Sequence, residues 1–396
     1  MSGPLEGIRV LDLSRVLAGP YCAMILGDLG AEVIKIEQPG RGDETRAWGP
    51  PFAGGESAYY LCANRNKKSV TLNLHHEEGR RILKDLICRS DILIENFRAG
   101  TMERWGLSYE DLEPIHPGLV YCRISGYGPR GPDRDRPGYD FIIQAESGLM
   151  SITGPVEGPP MKVGVAIVDV MAALYAAIAI LGALAERQRS GRGQKIEISL
   201  FECALASLAN VASNYLISGQ PPKRYGNAHP NIVPYEAFET SDGYIVIAVG
   251  NDRQFRALCE GIGRRELAED PRFAANPGRV ENRDLLIPIL RGIFRERTTE
   301  EWLSLLLPMG VPAGAVRTIP EALFSPQAQA LGMVAEVSHP TAGRIPMVRS
   351  PLHLSRTPVR MIQHPPILGE HTQEVLVGLL GYDRETIEQL HARGIV

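Results

Sequence analysis

Asp169 is the only charge between Lys162 and Glu186. It sits inside the run Val163-Gly-Val-Ala-Ile-Val-Asp-Val-Met-Ala-Ala-Leu-Tyr-Ala-Ala-Ile-Ala-Ile-Leu-Gly-Ala-Leu-Ala185. An ionised carboxylate in such company is costly unless something specific stabilises it. Three roles compete. A membrane span is disfavoured by the central Asp, by the Pro/Gly-rich approach Gly154–Pro160, and by the lack of a second apolar stretch of that length. A structural N-cap is natural, because Val170 to Ala185 is alanine-rich and apolar on every face, the pattern of a buried helix. A reactive carboxylate at that helix start is the third role, kept ionised by free N–H groups and the helix dipole. Capping and catalysis are compatible.

Other candidate motifs carry less. Gly126-Tyr-Gly128-Pro-Arg-Gly131 matches a dinucleotide fingerprint. Pro129, Pro132 and Pro137-Gly138 then forbid the helix that should cradle a pyrophosphate, so a turn-rich loop is the better reading. His75 and His76 are adjacent and point apart, a poor metal pair, and no metal site is expected. His229, in Gly226-Asn-Ala-His-Pro230, reads as a loop hydrogen-bonder. Arg65, Lys67 and Lys68 read as a solvated turn. The loop 40–55 carries Trp48 and leads to Tyr59 and Tyr60. Such loops often line binding sites, although packing against the core explains the aromatics slightly better.

These residues hang on alternating elements. Gly7–Leu13, Ala31–Glu37, Ser69–Leu74, Asp91–Glu95, Leu119–Ser125 and Gln194–Leu200 read as strands. Helices follow Gly19-Pro20, run from Glu77 to about Ser90, include Arg104, and begin near Asp169 with a stop at Gly191. That rhythm predicts an α/β fold, a parallel, doubly wound sheet covered by helices. After Ser218–Gly226 the pattern changes to a hairpin around Asp242-Gly243 and then mostly helices, which predicts a smaller α+β domain. The expected division is 1–220 for the large domain, 226–325 for the small one, and 326–396 as a C-terminal segment returning to the large domain.

Composition narrows the function. A chain of 396 residues with 44% apolar and 22% charged residues is an ordinary two-domain enzyme in make-up. A net charge of −4 argues against nucleic acid. The six cysteines (22, 62, 88, 122, 203, 259) show no ligand spacing, and the N-terminus shows no secretion signal, so a cytoplasmic protein with reduced thiols is expected.

Taken together, Arg9–Leu13 with Ala18-Gly19-Pro20, Gly30–Glu37 with Gly42-Asp43, Asn66–Ser69, Glu95-Asn96-Phe97, Pro137–Asp140, Gly191–Lys195 and Leu368–Thr372 resemble the family III CoA-transferases, the formyl-CoA and carnitine CoA-transferase group. The resemblance covers nearly the whole chain. It implies a Rossmann-like large domain, an interlocked homodimer, and a CoA thioester as substrate with no permanently bound cofactor. It implies that Asp169 is the nucleophile, forming an aspartyl anhydride and then an aspartyl-CoA thioester. It places CoA contacts at Leu17, Ala18, Gln38 (where relatives often have arginine), Leu72, Asn73, Leu74, His75, Asn96, Phe97, Arg98, Arg104, Tyr139 and Asp140. It puts Trp48 and Tyr59 near the acyl group. The glycine run that closes over the aspartate in oxalate-directed members is absent, and Arg224–Pro230, with Gly226 and His229, is the candidate lid instead. The expected partners are an acyl-CoA, a carboxylic acid and a second copy of the chain, with no membrane. A dicarboxylate donor such as succinyl-CoA fits this branch best.

An α-methylacyl-CoA racemase is the main alternative. Its base is a histidine just before the aspartate of the Gly-x-Asp stretch, where this chain has Tyr139, and a phenol is a poor base at neutral pH. A dinucleotide-dependent oxidoreductase and a non-catalytic CoA-binding scaffold stand further back.

Overall fold

The computed structural model describes residues 3–359, 361 and 363–396. The chain forms two compact units. The first comprises Met1–Leu149, Val163–Leu216 and Pro326–Val396; the second comprises Met150–Lys162 and Ile217–Ser325. The excursion Met150–Lys162 thus belongs with the later block, although it lies within the first 220 residues.

In the first unit β1 (Arg9–Asp12), α1 (Ala18–Asp28), β2 (Glu32–Glu37), β3 (Lys67–Thr71), α2 (Glu77–Ile87), β4 (Ile92–Glu95), β5 (Val120–Ser125), α3 (Asp140–Glu146), α4 (Ile167–Ser190), β6 (Lys195–Ser199) and α5 (Leu200–Ser207) follow one another. The six strands form one sheet in the order β3-β2-β1-β4-β5-β6, and every pairing is parallel. This is the doubly wound order, whose direction reverses between β1 and β4.

Strand side chains alternate between two cores. Val10, Ile92, Ile94, Val120 and Cys122 face α1 and α4, where Ala172, Ala173, Ala176 and Ala177 keep the helix close to the sheet. Leu11, Ile34, Ile36, Val70 and Leu93 face Ile82, Leu83 and Leu86 of α2. The third strand begins two residues earlier than its apolar pattern suggests. Lys67 enters the sheet because its charge is buried against Asp12.

α4 is long and apolar enough to cross a membrane. In the structure it is a core helix, with Val168, Ala172, Ala176, Ile180 and Leu184 packed beneath the sheet. It is not buried all round: Leu174, Tyr175, Ile178 and Leu181 form an outward apolar stripe, with Ile178 65% exposed. It ends at Gly191, whose φ of 74° supplies the left-handed terminus.

The second unit carries β7 (Tyr235–Glu239), β8 (Tyr244–Ala248), α6 (Asp252–Gly261), α7 (Arg283–Phe294), α8 (Thr299–Leu306) and β9 (Ala313–Ala315). The strands form an antiparallel sheet over a core of Phe238, Phe255, Phe294 and Trp302. The Asp242-Gly243 hairpin forms as expected, with the Thr240 N–H donating to the Gly243 carbonyl at 2.9 Å. The chain then re-enters the first unit as the hairpin β10 (Val334–His339) and β11 (Gly343–Val348), followed by α9 (Thr372–Leu380) and α10 (Arg384–Ala392). Val375, Leu376 and Leu390 of these helices join the α2 side of the sheet.

Candidate active site

The loops leaving the carboxyl ends of the parallel strands surround two adjoining clefts of the first unit, about 450 and 570 Å³ in volume. Arg15, Glu44, Trp48 and Phe97 belong to both. A doubly wound sheet is expected to bind its ligand at this edge, where strand order reverses and loops diverge.

The turn after β1 is built around strain. Val16 has a φ of 71°, a left-handed conformation that costs a β-branched residue about 1–3 kcal/mol. Its neighbours over-determine it. The Asn96 side chain clamps Arg15, accepting its N–H at 3.0 Å and donating to its carbonyl at 2.8 Å. Both Asp43 oxygens lie 3.3 Å from the Val16 N–H, and Asp43 is held by buried Lys35 at 3.0 Å. α1 then starts at Ala18 beside Leu17 on the cleft wall, and among the described residues no side chain caps its first N–H groups.

Asp169 is on the wall of the larger cleft. It is the third residue of α4, not its cap. That task falls to Asp140 of α3, whose Oδ1 accepts the N–H of Val168 at 2.7 Å and of Asp169 at 3.3 Å. The difference matters electrostatically. Amides that would have favoured a charged Asp169 are taken by another carboxylate, which itself repels it. Burial, and then the charge of Asp140, push the Asp169 carboxyl up to about 7. The dipole therefore does not simply hold it ionised: it stands near the midpoint of its titration at neutral pH. Among the described residues it makes no ion pair.

The residues identified from sequence separate into four groups. Leu17, Ala18, Asn96, Phe97, Arg98, Tyr139 and Asp169 line the larger cleft. Gln38, Leu72, Leu74 and His75 line the smaller one, and Trp48 joins the two. Tyr59 packs edge-on against Trp48 of the cleft wall at 5.2 Å, whereas Tyr60 is buried in the core as the packing reading expected. Three others turn away. Asn73 donates from its backbone N–H to the Ile395 carbonyl at 2.7 Å, Arg104 donates to the Thr101 hydroxyl at 3.0 Å, and Asp140 points into α4. Gly226 and His229 lie in the second unit, where His229 Nδ1 accepts the Asn231 N–H at 3.1 Å.

The basic cluster is not a solvated turn. Arg65 is buried against Asp28 at 2.5 Å and Lys67 against Asp12 at 2.9 Å; Lys68 alone stays partly exposed, beside Glu32 and Glu374. Sequence reasoning missed Arg15, Glu44, Arg123, Arg134 and Arg136, which also line the larger cleft. Their position just after strands of a parallel sheet was the available signal for Arg15, whereas Arg134 and Arg136 lie in a loop with no pattern of its own. Among the described residues no cluster of His, Cys, Asp or Glu is arranged to hold a metal.

Known proteins match this architecture throughout. A model of CoA-transferase family III matches residues 5–372. The chain is 45% identical over 393 residues to succinyl-CoA:glutarate CoA-transferase of Mus musculus, covering 99% of this chain and 90% of that protein. It is 45% identical over 392 residues to succinate–glutarate CoA-transferase of Agrobacterium fabrum, covering 98% and 97% of the two. A crystal structure of a CaiB/BaiF family protein from Brucella suis superposes with a TM-score of 0.85 at 43% identity, covering 96% of this chain and all of that one. Both curated relatives are named as transferases, against the isomerase and oxidoreductase alternatives. With sheet order, edge cleft and whole-length match in agreement, the chain belongs to CoA-transferase family III and is a CoA-transferase.

Proposed function

We propose that the enzyme moves CoA from succinyl-CoA to a dicarboxylic acid of similar length, glutarate being the first to test, with Asp169 as the nucleophile. The observation that carries this reading is a carboxylate without an ion-pair partner on the cleft wall, desolvated until it is far more basic than an ordinary aspartate. Basicity and nucleophilicity rise together, and a site poor in water protects a reactive acyl intermediate. An Asp169 oxygen attacks the donor's thioester carbonyl; the C–S bond breaks and CoA leaves as thiolate. The thiolate attacks the Asp169 carbonyl of the resulting anhydride, expelling the donor carboxylate and leaving an aspartyl-CoA thioester. The acceptor carboxylate attacks that thioester, releasing thiolate and forming a second anhydride. Thiolate attack on the acceptor's acyl carbon gives the new acyl-CoA and restores the Asp169 carboxylate. The uncapped N–H groups at the start of α1 suit the developing oxyanions. The arginine-rich cleft suits substrates bearing a second carboxylate, and the names of the two curated relatives point to the same acids.

The reading extends to a cytoplasmic homodimer. Leu174, Tyr175, Ile178 and Leu181 offer an apolar face for a second copy, and the unpaired cysteines suit a reducing compartment.

The test is an exchange assay with succinyl-CoA against a panel of mono- and dicarboxylic acids, followed by hydroxylamine trapping and mass spectrometry. The expected result is preference for a dicarboxylate, a mark on Asp169, and loss of at least about 10³-fold in activity for Asp169→Asn. An active Asn variant, or a mark elsewhere, overturns the assignment.

A further inference from the structure

The N-terminus of α4 is held by a chain of polar contacts that reaches beyond the cleft. Gln144 is fully buried on α3, one turn after Asp140. Its Nε2 donates to Asp140 Oδ2 at 2.6 Å, and its Oε1 accepts the Val163 N–H at 2.9 Å. Asp140 Oδ1 in turn accepts the Val168 and Asp169 amides. Val163 and Val168 are thus tied to one helix by two side chains that interlock, donor to acceptor. Asp140 is itself fixed from behind. Gly126, just past β5, and Gly138 meet backbone to backbone, so that a Cβ on Gly126 would lie 2.6 Å from the Gly138 Cα. Only paired glycines permit that approach, and it fixes the stretch from which Asp140 projects.

A buried glutamine is a demanding residue. Leaving one of its groups unsatisfied costs the desolvation of that group, so a chain that merely needed filler would carry an apolar residue here. Both Asp140 oxygens are engaged by Gln144 and the α4 amides, and the cleft is lined by its neighbour Tyr139 instead.

We propose that Gln144 and Asp140 are positioning residues. They form a relay that aims the Asp169 carboxylate into the cleft and sets its basicity without touching the acyl-CoA. This rests on Asp169 being the nucleophile. It replaces the role of CoA contact for Asp140 with an electrostatic and geometric one. The other titratable group that senses Asp169 is Tyr59, whose own hydroxyl is pushed up to about 12 by burial and then by Asp169; the same cleft is also lined by Tyr139, Glu44, Asp135 and arginines 15, 98, 123, 134 and 136. Asp140, by contrast, bonds directly to the Val168 and Asp169 amides of the helix start.

The test is a small set of variants read by kcat, KM and the acidic limb of the pH profile. Gln144→Leu frees Asp140 to leave the α4 amides, and Asp140→Asn keeps an accepting oxygen but removes the charge. Each should lower kcat about 10- to 100-fold while KM for acyl-CoA stays within about twofold, as a misaimed nucleophile requires. In each the acidic limb should move to lower pH, because repulsion is lost or the freed amides face Asp169. In the double variant Asp140→Asn/Gln144→Glu the donor and acceptor roles are exchanged, and the hydrogen bonds can re-form. It should recover kcat to within about threefold of wild type, a coupling that a purely structural loss does not produce. A Gln144→Leu enzyme with wild-type kcat and an unmoved limb overturns the relay, as does a double variant no better than the product of its singles. Should Gln144→Leu fail to fold, Asp140→Asn and the double variant decide alone. Trapping on wild type keeps the two readings apart. A mark away from Asp169 sinks the nucleophile, whereas a mark on Asp169 with unaltered variants sinks only the relay.

Discussion

Asp12 and Asp169 are both carboxylates taken largely out of water, and the fold treats them in opposite ways. Asp12 ends β1 with no exposure at all. It accepts Lys67 Nζ at 2.9 Å and the Ser14 N–H at 3.0 Å, with the Ser14 hydroxyl bonded to it as well. Burial alone would raise its pKa, but Lys67 and Lys35 outweigh it and hold Asp12 below the usual range. Asp169 receives burial without the cations, and a second carboxylate in addition. The same residue type is a rivet in one place and, in the proposed mechanism, a reagent in the other. The difference lies in whether a lysine comes with it.

Breaking the rivet should produce the largest effect on stability. Lys67→Met leaves Asp12 buried without its counter-ion, and a loss of about 3–5 kcal/mol is expected in urea unfolding. A cost below about 1 kcal/mol would mean that Lys35 and Ser14 suffice. Removing the reagent should have the opposite sign. Asp169 is raised from 3.8 to about 7 in the folded state, so the folded protein holds its proton longer than the unfolded chain does. The contribution of Asp169 to stability should therefore fall as pH rises from about 4 to about 7, and level off above. Asp169→Asn should abolish that penalty. It should be more stable than wild type by roughly 2–4 kcal/mol at pH 8, and by nothing below pH 4. A gain of the same size at both pH values would contradict an origin in ionisation.

Two smaller perturbations sharpen the contrast. Gly126→Ala forces a Cβ against Gly138 and should cost about 1–3 kcal/mol, with a fall in kcat because the Asp140 stretch shifts. Unchanged turnover would show that the glycine contact does not reach Asp169. Gln38→Ala, at the far cleft, should raise KM for the CoA substrate only two- to threefold, roughly, and leave kcat alone, since binding there is the same before and during reaction. A fall in kcat would mean that the two clefts are not independent in this sense.

Much of this was legible before the structure. Alternating β and α segments foretold the parallel sheet, and the lone charge in an alanine-rich run marked Asp169. What stayed hidden shares one cause: polar residues whose partners are distant in sequence. Lys67 pairs with Asp12 across 55 positions, and Asp140 caps a helix 28 positions away, so neither carries a local signature. Local capping rules favoured Asp169 as its own helix's cap, and nothing within a few residues could show that the position was already served. Likewise Arg65 and Lys67 look like a surface turn until Asp28 and Asp12 come into place.

The run of clefts along the sheet edge has a further meaning. Six strands at the usual spacing of about 4.8 Å make an edge of roughly 24 Å from β3 to β6. Gln38 and Leu72 stand at one end and Asp169 toward the other, so in the proposed mechanism the sheet edge serves as a ruler for a long substrate. There the CoA carrier is gripped where no bond changes, and the acyl cargo is delivered to Asp169. Grip and chemistry are separable on that reading, so exchanging one acid for another would require changes at a single end only.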